Sequence, residues 1–174
     1  MIIEGRVWRL GDGVGATDLI PARYDKIGMK RDWAACAEHL LEDSAPGFAQ
    51  RVQPGDVIVA GTDFGWGHAH YFGAVINALK HVRLGAVFAS SLSGIFFRAA
   101  TDLGLVTWTY GELAELTSTD DRVEVDLSTG AVHNHTTDVT RRLDPPPSLI
   151  LDLFEAGGSA PWALRRARKL APTP

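Results

Sequence analysis

A single cysteine, Cys36, is the only thiol in this 174-residue chain. No internal disulfide can form, and the usage fits a reducing cytosol. The same scarcity means that the chain alone cannot hold an iron–sulfur cluster, which usually takes several thiolates. Long apolar runs are missing as well. The uncharged apolar stretch Leu84 to Phe97 falls short of the roughly 20 residues that a membrane-spanning helix needs. The opening MIIEGRVW lacks the basic-then-apolar pattern of a signal segment. Basic charge is in deficit, with a formal net charge of −4, and phosphate binding needs a basic face. The expectation is a soluble, cytoplasmic protein with neither nucleic acid nor membrane as a partner.

What is present is enough apolar material, 45% of the residues, to build one core without disulfides or metal. Residues 2 to 9 alternate as a strand does, and Gly11 to Gly15 form a flexible turn before Thr17-Asp18-Leu19-Ile20-Pro21 leads into an irregular loop. Trp33, Cys36, Ala37, Leu40 and Leu41 recur at helical spacing. Pro54-Gly55 then precedes a buried strand, Asp56 to Ala60. Phe72, Val75, Ile76 and Leu79 mark one helix face, Gly85 to Ala89 a second buried strand, Ile95, Ala99 and Leu103 the next helix, and Leu105 to Tyr110 a third strand. Apolar strands joined by helices imply right-handed parallel crossovers, so the middle of the chain reads as α/β. Arg122 to Leu127, a turn at Ser128-Thr129-Gly130, and Ala131 to Thr137 read as a β-hairpin. Leu149, Ile150, Leu153 and Phe154 begin a helix that ends at Gly157-Gly158. This gives a domain over 1–158 and a basic tail over 159–174, either a frayed helix or a contact with a partner.

The stretch GTDFGWGHAHYFGAVINALK, residues 61 to 80, carries the chemistry. Glycines let a backbone approach a bound group closely. The first amides of the following helix lack internal partners and sit at the positive end of its dipole. Carboxylates and phosphates bind at such ends. Gly65, Trp66, Gly67, His68, Ala69 and His70 are therefore candidate site residues, with Trp66 either a pocket wall or interface surface.

These residues resemble a known family. PGDVIVAGTDFGWGHAHYFGAVINALK is similar to the small subunit of 3-isopropylmalate dehydratase, in the aconitase superfamily, whose members carry N-F-G-C-G-S-S-R-E-H-A between the same strand and helix. GRVWRLGDGVGATDLIPARY, GAVFASSLSGIFFRAATDLGL, VEVDLSTGAVHN and LDLFEAGG continue the likeness in the family's order. The resemblance implies the swivelling β/β/α domain of that superfamily, an α/β fold with a mixed sheet and flanking helices. It implies a heterodimer with an aconitase-like large subunit that carries a 4Fe–4S cluster. The activity implied is a hydro-lyase of the leucine-biosynthesis type, acting on a hydroxy di- or tricarboxylic acid, with the cluster on the partner and no cofactor bound by this chain alone.

The motif places the family's catalytic serine at His68 and its carboxylate-binding arginine at His70, with Ala69 between them and Tyr71 at the glutamate. Leu92-Ser93-Gly94 stands for F-A-R and Ala99 for an asparagine; Asp12, Thr17 and Asp18 are kept. Near Y-L-R, where relatives put a substrate-binding arginine, stand Tyr24-Asp25-Lys26, so Lys26 could keep the charge without the bidentate fork. Arg23 and Lys26 are candidate carboxylate ligands, and Thr17 and Asp18 candidate supports or plain turn residues. Histidine needs no special preparation as a base near neutrality. His68 is thus expected to accept a proton and His70 to donate to a carboxylate or hydroxyl. Two alternatives stay open: a diverged non-catalytic or regulatory subunit, and a divalent-metal protein in which His68, His70, His133 and His135 converge. Cys36 reads as packing, Trp33 as either core or docking surface, and Trp162 as a partner contact.

Overall fold

The computed structural model describes residues 1–170. Its framework is a seven-stranded sheet in the order β4-β3-β2-β1-β5-β6-β7. The strands are β1 (Ile2–Arg9), β2 (Val57–Ala60), β3 (Ala86–Ala89), β4 (Thr107–Thr109), β5 (Arg122–Asp126), β6 (Ala131–Asn134) and β7 (Val139–Arg142). From β1 to β4 all pairing is parallel, with Val7 opposite Val57, Val57 opposite Ala86 and Val87 opposite Thr107. β1 changes partner along its length. Its first half pairs antiparallel with β5, and its second half parallel with β2.

Alternation sorts the strand side chains onto two cores. Trp8, Ile58, Ala60, Val87 and Ala89 face a layer of helices. That layer is built on α3 (Trp33–Ala37), α5 (Ala69–His81) and α6 (Gly94–Leu103), with Phe72, Val75, Ile76 and Leu79 of α5 buried as their spacing predicts. Val7, Val57, Val59, Ala86 and Phe88 face the other way and share a second core with Val123, Val125 and Val132. The antiparallel half therefore curls back over the parallel half. Because β2 and β3 are covered on both faces, all four residues of each are buried, which is why they read as unbroken apolar runs.

Several expectations need correction. The segment leading into the expected irregular loop is itself helical: α1 (Ala16–Leu19) forms where the Asp18 carboxylate accepts the Gly15 amide at 2.7 Å. Residues 22 to 32 also hold structure: a 3-10 turn at Ala22–Tyr24 and α2 (Asp25–Met29). Of the stripe, Cys36, Ala37, Leu40 and Leu41 are buried and Trp33 partly so, yet its helix stops at Ala37, and Leu41 sits at φ 54°. Its amide bonds to the Leu19 carbonyl instead of continuing a helix. On α6 the core face is turned by one residue. Phe96 and Ala100 are buried while Ile95 is exposed, because the Phe96 ring fills the space between Phe64 and Phe72. The hairpin gains a third strand, β7, because buried Asn134 ends β6: its side chain bonds Leu116, Asp121 and the amides of Thr136 and Thr137. Two four-residue helices, α4 (Phe48–Arg51) and α7 (Leu113–Leu116), complete the order with α8 (Ser148–Ala156) and α9 (Ser159–Leu170). The tail expected from residue 159 is thus helical as far as it is described, and residues 171–174 lie outside the described residues. Among those described, no helix is long and apolar enough to cross a membrane.

One buried carboxylate pins the start of β2. Asp56 is 4% exposed and accepts hydrogen bonds from the Arg6 guanidinium and the Trp8 indole, both at 2.8 Å, and from the Gln53 amide at 3.0 Å. The bond to Asp56 holds the Arg6 guanidinium above its ordinary range. Removing the acceptor strands donors from β1 and from the turn before β2. Asp56→Ala is expected to lower the unfolding free energy by about 2–4 kcal/mol, since Arg6, 29% exposed, can partly rehydrate. Urea unfolding measures this, and an unchanged midpoint with an unchanged slope would refute the pin.

Candidate functional site

Parallel strands bring their carboxyl ends to one edge of a sheet, where ligands of open α/β folds gather. Here three loops meet at that edge: 10–16 after β1, 61–68 after β2 and 90–93 after β3. Main-chain bonds stitch them together. Gly13 donates to Thr62, Gly65 to Val14 and Ala16 to Trp66, each at 2.8 Å; on the other side Phe64 donates to Ser91 at 3.1 Å and Ser93 to Phe64 at 2.8 Å. Side chains add two ties, from the Thr62 amide to the Asp12 carboxylate at 2.7 Å and from the Asp63 amide to the Ser91 hydroxyl at 2.8 Å.

Phe64 anchors the turn. It is fully buried, edge-on to Phe96 with ring centroids 5.3 Å apart. Gly65 follows at φ 76°, a conformation open to glycine, and the Phe96 ring occupies the space a Cβ would need. The chain is thereby driven outward, and Trp66, Gly67, His68, Ala69 and His70 are all exposed. The Trp66 ring lies over Gly15, where a Cβ would sit 2.8 Å from Cε2, and its indole N–H donates to the Gly13 carbonyl at 2.7 Å.

His68 is the N-cap of α5 in extended conformation, and no side chain among the described residues caps that helix start. The His68 and His70 rings stand side by side with centroids 5.7 Å apart, and His70 lies 4.2 Å from the Tyr71 ring. An anion approaching this end meets the positive pole of a 13-residue helix and two imidazoles. Hollows flank the turn. One of about 490 Å³ is lined by Gly13, Asp63, Trp66, Leu92 and Ser93. The other, about 480 Å³, lies between α2 and α5, lined by residues that include Asp25, Met29, Arg31, Trp33 and His70.

The remaining expected site residues are placed differently. Asp18 supports the turn from behind by holding the Gly15 amide, and Thr17 is exposed beside it on α1. The Arg23 guanidinium is occupied: it donates to both oxygens of Asp43, at 2.7 and 2.8 Å, and to Glu42 at 2.7 Å. Lys26 is exposed on α2 and is not part of the groove wall, which takes Asp25, Gly28 and Met29 from that helix. Arg31 does line the groove, and sequence reasoning missed it. No stripe in the sequence marked it, because α2 fully buries none of its residues. The four histidines do not converge. His133 on β6 and His135 just past its end have ring centroids 4.2 Å apart, beside Asp138 and Glu124. Among the described residues no group of three or more His, Cys, Asp or Glu could hold a metal ion.

With this geometry in place, comparison with known proteins is informative. No family model matches the chain. The chain is 35% identical to the 3-isopropylmalate dehydratase small subunit of Thermodesulfovibrio yellowstonii over 166 residues, covering 95% of this chain and 96% of that protein. It is 37% identical to the methanogen homoaconitase small subunit of Methanothermobacter thermautotrophicus over 158 residues, 90% of this chain and 88% of that one. The crystal structure of 3-isopropylmalate dehydratase from Methanocaldococcus jannaschii superposes with a TM-score of 0.86 at 30% identity, covering 97% of both chains.

The Asp12 tie predicts a pH dependence. Hydrogen bonds from Thr62, that of its amide first, hold the Asp12 carboxyl below the usual carboxylate range. A folded value below the unfolded one means that the tie stabilises the fold above about pH 4 and that its contribution is lost as pH falls through the folded value. Asp12→Asn is expected to lower the urea midpoint at pH 7 and to lower it less at about pH 3. Paired urea melts at the two pH values check it; an equal gap at both would refute it.

Proposed function

The chain belongs to the family of 3-isopropylmalate dehydratase small subunits, and on that premise we propose that it is the small subunit of a hydro-lyase that removes and re-adds water on a hydroxy di- or tricarboxylic acid. One observation carries the reading. The start of α5, with its glycine turn and two imidazoles, opens outward at the carboxyl ends of parallel strands instead of packing beneath the chain's own side chains. The relatives are small subunits by name, so the reaction needs a larger partner chain.

Such a dehydration takes a proton from the carbon beside a carboxylate and expels hydroxide from the neighbouring carbon. His68, exposed at the head of the helix, accepts the proton on a free ring nitrogen and returns it in the hydration direction. His70 donates a hydrogen bond to a carboxylate or to the hydroxyl. The uncapped amides of α5 hold a carboxylate at the positive end of the helix. Arg31, exposed on the groove beside His70 and without an ion pair among the described residues, supplies the fork for a second carboxylate.

Hydroxide leaves poorly without a Lewis acid, and a 4Fe–4S cluster would supply one. This chain offers that cluster no site. Cys36 is fully buried on α3, and burial pushes its thiol up, away from the thiolate a ligand must be. On this reading the cluster is carried by the partner, while this chain binds and orients the acid and moves the proton. The converging-histidine metal reading has no support from the placement of His133 and His135.

Two substitutions separate these roles. In a complex assembled anaerobically with the cluster-bearing partner, His68→Ala is expected to lower kcat by about 10²-fold or more with KM little changed. Arg31→Ala is expected to raise KM about tenfold with a smaller effect on kcat. Initial rates of hydroxy-acid dehydration measure both. Full turnover by His68→Ala would remove the base assignment and favour a subunit that shapes the site without taking the proton.

A further inference from the structure

The wall of the groove beside His70 has little to hold it in place. The 3-10 turn Ala22–Tyr24 and α2 contain no fully buried residue, and only Tyr24 and Ile27 pack partly against the core. Elements of three and five residues are too short to persist without outside anchors. At the far end of α2 the anchor is steric: Gly28 lies so close to Ala74 of α5 that a Cβ would come within 2.9 Å of it. At the near end it is polar, and it comes from residues 39 to 43.

There, one carboxylate gathers three partners. Glu42 Oε1 accepts from the Arg23 guanidinium at 2.7 Å and from the Tyr24 hydroxyl at 3.1 Å, while Oε2 meets His39 Nδ1 at 2.7 Å. The His39 ring stacks on the Tyr24 ring at 3.5 Å with the planes 9° apart, and the Arg23 guanidinium lies 5.0 Å over that ring. Asp43 secures Arg23 independently through a fork, so the distinctive grip of Glu42 is on Tyr24 and His39. Tyr24 is the residue that starts α2. Fixing its ring fixes where the helix begins, and so where Asp25, Gly28, Met29 and Arg31 stand along the groove.

We propose that Glu42 is a positioning residue for substrate binding, holding Tyr24 and His39 so that α2 and Arg31 form the groove wall opposite His70. This rests on the reading of that groove as the seat of the hydroxy acid. None of the side-chain hydrogen bonds of Glu42 goes to a groove-lining residue; its partners are Arg23, Tyr24 and His39. Its loss acts on the wall and not on the proton transfer at His68.

The test uses Glu42→Ala and Glu42→Gln in the full chain. Amide hydrogen exchange on the isolated chain needs no activity. In Glu42→Ala, exchange within residues 22–31 is expected to accelerate about tenfold while the amides of β2, β3 and α5 keep their protection. In the assembled complex, the same variant is expected to raise KM about tenfold and to leave kcat within about twofold, with partial rescue by Glu42→Gln, which keeps an acceptor for the Tyr24 hydroxyl. Unchanged exchange in 22–31 overturns the clamp, as does acceleration spread over the whole chain, which marks a general loss of stability. Local acceleration with an unchanged KM overturns the link to substrate. A parent complex without turnover on any hydroxy acid would instead sink the hydro-lyase reading, and the exchange result would still decide whether Glu42 holds the segment.

Discussion

The site depends on main-chain hydrogen bonds among three loops that the parallel sheet delivers to one edge. Gly65 is fastened to Val14, Trp66 to Ala16, and Phe64 to both Ser91 and Ser93. None of these bonds uses the side chains of residues 67 to 70. The turn is fixed by backbone geometry and by the buried Phe64 and Phe96 rings, so the groups displayed beyond it can change without dismantling the platform. Among the described residues no hydrogen bond depends on the side chain at 68 or 70, whose rings meet only each other and Tyr71 among the aromatic rings. Trp66 is the exception, since its indole N–H closes on Gly13.

Stability and display are kept at opposite ends of the same strand. Asp56, just before β2, is buried and bonded to Arg6 and Trp8. Beyond Ala60, at the other end, the chain turns outward into exposed residues. A buried carboxylate with its donors in place rigidifies its surroundings, and one that loses them is costly. Placing that commitment at the opposite end of β2 from the displayed turn lets the strand stay rigid while the turn meets solvent. The two cores on either face of β2 do the same for the sheet as a whole.

Sequence revealed the elements whose signal is local. β2 and β3 announce themselves as apolar runs, and α5 by a stripe that the structure buries residue for residue. It failed where the deciding partner is distant. The stripe from Trp33 to Leu41 correctly marked burial, but the backbone breaks because the Leu41 amide is claimed by Leu19. α1 and α2 carry too little propensity to be seen, and β7 is a mostly exposed edge. Arg23 and Arg31 look alike as cations on one segment. Only the fold shows that Glu42 and Asp43 occupy the first, while the second stands on the groove. The spacing of His133 and His135 gave their shared face correctly and could not say what lay opposite it.

On the proposed reading, the same geometry gives a reason for this chain to need a partner. His68 and His70 are exposed, and the hollows on either side of them are open. A carboxylate held there in bulk water would gain little from the helix end or from imidazole donors, because high dielectric weakens each of these interactions. Their value rises once water is excluded, which requires a roof. The chain supplies the floor: a rigid turn, a helix end and a groove wall fixed at one end by packing under Ala74 and at the other by a charged cluster. Exposed apolar side chains at Trp66 and Ile95, on the turn and on the helix packed against it, are costly in water and suited to lie beneath such a roof. On the proposed reading, closing the two chains over one small acid would therefore switch on the electrostatics and cover this apolar surface in the same step.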